Sequence, residues 1–419
     1  MLDLALSLLL STKAPYAPQQ DSASYEAAPP GYKAVYTQLL ARHGSRGLTS
    51  PKGAQALHAL WQQAADTGGL TPLGRQFGPD IEQMMRANEA IGYGNETQQG
   101  MEEHTQLARR LFARLPDLFR DAEASSRRIV LVSSGKDRAV DSAEFFRDAL
   151  VRQQPGLATL FDTGIDRDTL YFHKQNTPAG LAYQRWADSG ELQARAAAIR
   201  AQPQLQAAAQ TTLARLFTPQ FMAALDASRA TDTALSLYAL YAAAADMRHE
   251  LKADFTKYIP PGEASVYAEA EDAMAFYEKG PGIVENGDIT WRMAAVLVDD
   301  FFNEADAVER GDLSHAAKLR FAHAEIVIPM ASALSIPGLS EQLPRSATYS
   351  YQNSPWRGAY SAPMAANIQW ELYRNSAGRV LVRMLYNERE TDFKPACSHA
   401  RIAPASHFYD YQQLKRCYK

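Results

Sequence analysis

Apolar and polar positions alternate through residues 33–40, with Val35 and Leu39 set among Tyr36 and Thr37, and this two-residue period predicts a strand. A shorter run at 127–133 (Arg-Arg-Ile-Val-Leu-Val-Ser) is apolar enough for a strand buried on both faces. Residues 318–322 give a third strand, and 364–373 with 379–386 give two more. The turn Asn375-Ser376-Ala377-Gly378 joins the last two as a hairpin. Between the strands the period lengthens. Ser50-Pro51 starts a helix that runs to about Ala65 and stops at Gly68-Gly69. A second helix over 97–115 carries Leu107, Leu111 and Leu115 on one face, and a third follows the second strand over 137–150. Strands alternating with helices predict a parallel sheet with crossover helices.

The pattern changes at about Gly156. From there to Lys279 the chain is alanine- and leucine-rich, with helical stretches at 191–201, 205–216 and 231–257 and no evident strand. A helix over 289–303 leads back. The expectation is an α/β fold: a mostly parallel sheet flanked by helices, built from 31–155 and 285–419, with a smaller all-α domain inserted at 156–284 and an irregular arm at 1–30. A chain of 419 residues exceeds the size at which single cores stop growing, which fits two domains.

Composition adds limits more than direction. The chain is 46% apolar and 21% charged, with a net charge of −4, which gives no reason to expect nucleic acid or an anionic membrane as partner. Leu4 to Leu10 is apolar, but no basic residue precedes it and it is too short to span a bilayer. The two cysteines, Cys397 and Cys417, are either a disulfide stapling the tail or two buried thiols, and no zinc spacing is present.

Three polar clusters fall at the carboxyl ends of three expected strands, where ligands sit in open α/β sheets. They are Arg42-His43-Gly44-Ser45-Arg46, Ser133-Ser134-Gly135-Lys136-Asp137-Arg138, and His323-Ala324-Glu325. Arginine forks match tetrahedral oxyanions, glycine lets backbone approach a ligand, and histidine is a nucleophile near neutral pH. Together they point to a phosphate site containing a nucleophile.

Arg42-His43-Gly44-Ser45-Arg46 resembles the signature of the histidine acid phosphatases. Arg138 with Ser142-Ala143 is similar to the family's next motif, and Gly94, Thr97 and Gly100 match its spacing. His323-Ala324-Glu325 resembles the multiple inositol-polyphosphate phosphatase branch, whereas many acid phosphatases and phytases of the family place an aspartate directly after the second histidine. Phe321-Ala322, Pro329, Ala365-Ala366-Asn367-Ile368 and Asn387-Glu388 also match. Leu48 stands where the family commonly has proline.

The resemblance implies a phosphomonoesterase acting on inositol hexakisphosphate and its lower esters. In that reading His43 takes the phosphoryl group, Glu325 protonates the leaving group, and Arg42, Arg46, Arg138 and His323 hold the phosphoryl oxygens. Lys13, Lys174 and Lys279 are candidates for outer phosphates, and the other histidines are expected to be structural. No metal or other cofactor is implied. A small-molecule substrate, a monomer or weak homodimer, and a periplasmic or secreted location are expected. Alternatives are a broader acid phosphatase, a phosphoglycerate-mutase-like transferase, a serine esterase using Ser45 (His43-Gly44-Ser45-Arg46-Gly47 is one glycine short of G-x-S-x-G), and a non-catalytic inositol-phosphate binder.

Overall fold

The computed structural model describes residues 4–418; the first three residues of the expected arm and the last residue of the chain lie outside them. One sheet of eight strands organises the chain: β1 (Lys33–Arg42), β2 (Arg128–Ser133), β3 (Phe161–Ile165), β4 (His315–Ala322), β5 (Asn367–Arg374), β6 (Val380–Tyr386), β7 (Arg389–Thr391) and β8 (Phe408–Asp410). Their order is β3-β2-β4-β1-β5-β6-β7, with β8 on β6. The first four are parallel, as the strand–helix alternation requires. The expected hairpin supplies β5 and β6, which extend the sheet in antiparallel fashion.

Register fixes where the strands end. Arg42 of β1 lies opposite Ala322 of β4, and Ser133 of β2 opposite Phe321. The three polar clusters therefore leave the sheet side by side, with β4 in the middle.

Successive side chains of β1 point to opposite faces, as strand geometry dictates. Tyr36 and Leu40 join one hydrophobic cluster and Leu39 and Ala41 the other. Helices Gln98–Arg114 and Asp137–Gln153 cover the second face. The first face shares one continuous core with the helical stretch, through Leu213, Ala234, Tyr238, Tyr267 and Phe276.

The structure corrects two expectations and adds one helix. Phe161–Ile165 is a strand, although no strand was expected between residues 156 and 279. It is an edge strand whose residues are mostly exposed and carry Asp162, Thr163 and Gly164, so it lacks an apolar period. The helix expected over 231–257 is Ala227–Ala245; the chain leaves it at Asp246 and enters the next, Pro261–Glu278, at a proline pair. A long helix with no sequence expectation, Gly74–Ile91, carries Pro79 within it.

The arm is not loose. Leu10 and Ala14 are buried, Ser11 Oγ donates to Asp272 at 2.5 Å, and Tyr16 OH donates to Glu388 at 2.9 Å. Asn387 and Glu388 form the two-residue turn between β6 and β7, both with positive φ (48° and 57°), as a tight hairpin demands. Cys397 and Cys417 are joined as a disulfide with Cα atoms 5.7 Å apart. Among the described residues no helix is long and apolar enough to cross a membrane.

Candidate active site

The chain leaving β1 is gripped from both neighbouring strands. His43 N donates to Ala322 O at 2.9 Å, and Ala365 N donates to His43 O at 3.0 Å. Gly44 then passes against Gly100 at the start of helix Gln98–Arg114. A Cβ on Gly44 would stand 2.6 Å from Gly100 Cα, and one on Gly100 would stand 2.3 Å from Ser45 O. Only glycine fits at either place. That close approach accounts for the spacing of Thr97 and Gly100, and Thr97 N donates to Ser45 O at 3.0 Å.

His43 is 3% exposed, and its Nδ1 lies 2.9 Å from its neighbour's carbonyl, Gly44 O. A carbonyl only accepts, so Nδ1 carries the proton and Nε2 is left with a lone pair. Burial, then Arg42 and Arg46, hold the imidazole well below its ordinary 6.5. The ring is neutral at neutral pH, which is the form of a nucleophile.

Around it stand the groups drawn from the other clusters. The His323 ring lies 5.5 Å from that of His43, with its Nε2 2.8 Å from Ser134 Oγ. Burial, then Arg138, push His323 down to about 3, so it too is neutral in the free protein. Charge is dense here: Arg42 feels Arg46, Glu325, Asp246 and Arg138, and burial followed by Arg46 lowers it to about 10. Arg42 Nη1 donates to Thr12 O, on the arm, and to Ala362 O. The Nε atoms of Arg42, Arg46 and Arg138 and Nδ1 of His323 are buried and make no hydrogen bond among the described residues. Buried donors left over in such number are what an oxyanion satisfies.

Glu325 opens the helix Ala324–Ala333 and pairs with Lys279 at 3.0 Å. Lys279 thus faces the centre of the site rather than a remote phosphate. His173, expected to be structural, lies with Tyr171 beside His323: the Tyr171 ring is 4.8 Å from His173 and 6.1 Å from His323. Lys174 follows it directly, and Lys13 lies in the turn Ser11–Lys13 that supplies Thr12 O to Arg42. Ser45 Oγ meets Glu103 and Asp246 and no imidazole, so the elbow that an esterase needs is absent at this serine.

Three carboxyl groups beneath the loop escaped sequence reasoning. Gly44 N donates to Glu96 at 2.6 Å, Ser45 N to Glu103 at 2.7 Å, and Asp246 arrives from the end of the alanine-rich helix. For Asp246 the signal available was an acid directly following the alanine run 242–245 that ends the helix.

A sheet whose adjacent strand ends collect a neutral imidazole, three guanidiniums and a carboxylate defines an α/β phosphatase. Residues 35–387 match the model of the histidine phosphatase superfamily (branch 2), and the chain belongs to that family. It is similar to the multiple inositol polyphosphate phosphatase of Bifidobacterium longum. That protein's structure in complex with phosphate is 32% identical, with a TM-score of 0.90 over 98% of this chain and 97% of that one. Its complex with inositol hexasulfate gives 0.89 at the same identity and coverage. Multiple inositol polyphosphate phosphatase 1 of Gallus gallus is 25% identical over 76% of this chain and 68% of its own.

Proposed function

We propose that this enzyme removes phosphate from inositol hexakisphosphate and lower inositol polyphosphates through a phosphohistidine on His43. The observation that carries the reading is the bond from His43 Nδ1 to Gly44 O, which presents Nε2 unprotonated amid buried guanidinium donors. Relatives named for inositol polyphosphate, one of them solved with inositol hexasulfate, support the substrate.

In the first step His43 Nε2 attacks phosphorus, the N–P bond forms, and the bond from phosphorus to the ester oxygen of the inositol ring breaks. Glu325 gives its proton to the departing alkoxide. In the second step Glu325 takes a proton from water, whose oxygen displaces the imidazole and releases inorganic phosphate. Arg42, Arg46, Arg138 and His323 hold the phosphoryl oxygens and the charge that moves among them.

In the free enzyme Lys279 keeps Glu325 ionised, although burial alone works the other way. An arriving ester adds negative charge beside Glu325 and competes for the Lys279 ammonium, and both effects favour the protonated acid. Acid quenching during turnover of labelled substrate should trap a phosphoenzyme in the wild type and none in His43→Ala. Turnover by His43→Ala at the wild-type rate would overturn the reading. The disulfide Cys397–Cys417 supports a periplasmic or secreted setting, where such bonds persist.

A further inference from the structure

Ser45 Oγ lies 2.7 Å from Glu103 Oε1 and 2.9 Å from Asp246 Oδ1, and all three residues are buried. A serine hydroxyl has one proton, and an ionised carboxylate can only accept. Two ionised carboxylates cannot both be satisfied by it, so one of them must donate.

Their other partners decide which. Glu103 is well supplied: Tyr16 N donates to Oε1 at 2.9 Å and Ser45 N to Oε2 at 2.7 Å. Among the described residues the Asp246 carboxyl has no hydrogen-bond partner apart from Ser45 Oγ, and its Oδ2 is buried without one. We propose that Asp246 is a protonated acid that donates to Ser45 Oγ, which donates in turn to Glu103, and that this relay positions the loop carrying His43 while leaving Arg42 and Arg46 free for phosphate.

The surrounding charges agree. Arg42 and Arg46 on the loop and Glu103 on the helix Gln98–Arg114 face Asp246, and burial followed by Glu103 raises its affinity for a proton despite the two arginines. The charged neighbours on its own segment are turned elsewhere: Arg248 and His249 to Glu102 at 3.0 and 3.4 Å, Glu250 to Gln98 N at 2.8 Å. When pH rises and Asp246 ionises, two carboxylates repel across Ser45 and a new anion competes with phosphate for Arg42 and Arg46. Asp246 acts through the loop and is a positioning residue.

Two measurements test this, and only the kinetic one rests on the function proposed above. Infrared spectra of enzyme carrying isotope-labelled aspartate, taken at about pH 8, where Asp272 (pushed up to about 6) has lost its proton, should show the carbonyl stretch of a buried aspartic acid. Absence of that band overturns the proposal, whether or not any variant folds. In the kinetic arm, Asp246→Ala should lower kcat/KM for p-nitrophenyl phosphate by about 10²-fold through misplacement of the loop. Asp246→Asn, whose amide also donates, should recover most of that loss and move the alkaline limb of the profile to higher pH. A profile for Asp246→Asn identical to the wild type would overturn it. A wild type without phosphatase activity would instead remove the proposed function and leave the infrared result standing.

Discussion

Lys279 Nζ lies 3.0 Å from Glu325 Oε1, and it is the more enclosed partner, with 15% of its side chain exposed against 41% for the glutamate. It also touches Glu278 at 3.1 Å. Burial favours protonation of Glu325, and Lys279 outweighs it, so the carboxyl sits well below the usual range. In Lys279→Met that brake is gone and Glu325 keeps its proton to higher pH. The descending limb of kcat for an inositol phosphate should move upward in pH. KM for the polyphosphate should rise about tenfold, near the worth of one charge-assisted hydrogen bond. A pH–rate series on both proteins checks it, and superimposable profiles would remove Lys279 from the reaction.

Glu325→Gln keeps the shape of the acid and removes its proton. An inositol alkoxide is a poor leaving group, so turnover of inositol hexakisphosphate should fall by about 10²–10⁴-fold, the usual worth of general acid–base catalysis. The loss with p-nitrophenyl phosphate should be smaller, because that leaving group departs without help. Parallel kinetics on the two substrates decide; equal losses would mean that Glu325 serves binding or position.

What the sequence made legible followed from strong local signals. The period-2 run before Arg42 and the polar clusters at Ser133 and His323 placed three strand ends, and the sheet order brings them together. β3 was hidden because an exposed edge strand needs no apolar alternation. Glu96, Glu103 and Asp246 were hidden for a different reason: their partners are backbone groups and a hydroxyl at residues 44 and 45, contacts that only tertiary structure creates. Lys279 stood in plain view, but nothing local tied it to Glu325, 46 positions away.

The disulfide closes a short loop at the end of the chain, with Cys397 fully buried against the last helix, Tyr411–Tyr418. Cross-linking 20 positions apart restricts the unfolded chain by about 3 kcal/mol on the loop-entropy account. Replacing both cysteines with serine should lower the free energy of unfolding by that amount while kcat for p-nitrophenyl phosphate stays as it was, since the staple lies outside the site. Equilibrium unfolding in urea, paired with an activity assay, measures both.

Stability should also depend on pH with a sign set by the buried groups of the site. Glu96 is pushed from its ordinary 4.5 up to about 8 by burial, against the bonds from Ser142 and Gly44 N, and Glu103 and Asp246 are raised as well, chiefly by burial. Between those values the folded state holds protons that the unfolded chain has released, so stability falls as pH rises toward about 8. Burial has the opposite effect on imidazoles: His104 and His323 are lowered to about 3 and His173 to about 4. Their unfolded counterparts bind protons below 6.5, so these histidines subtract stability as pH falls. Glu371 adds to that loss, because Arg114 and Arg383 outweigh its burial and hold it at about 2. The melting temperature should therefore peak between about pH 5 and 7 and decline on both sides. Glu96→Gln cannot ionise and should flatten the alkaline decline alone, leaving the acid side unchanged. A melting series across pH for the two proteins tests the sign, and an unchanged alkaline slope would show that Glu96 is ionised in the folded enzyme.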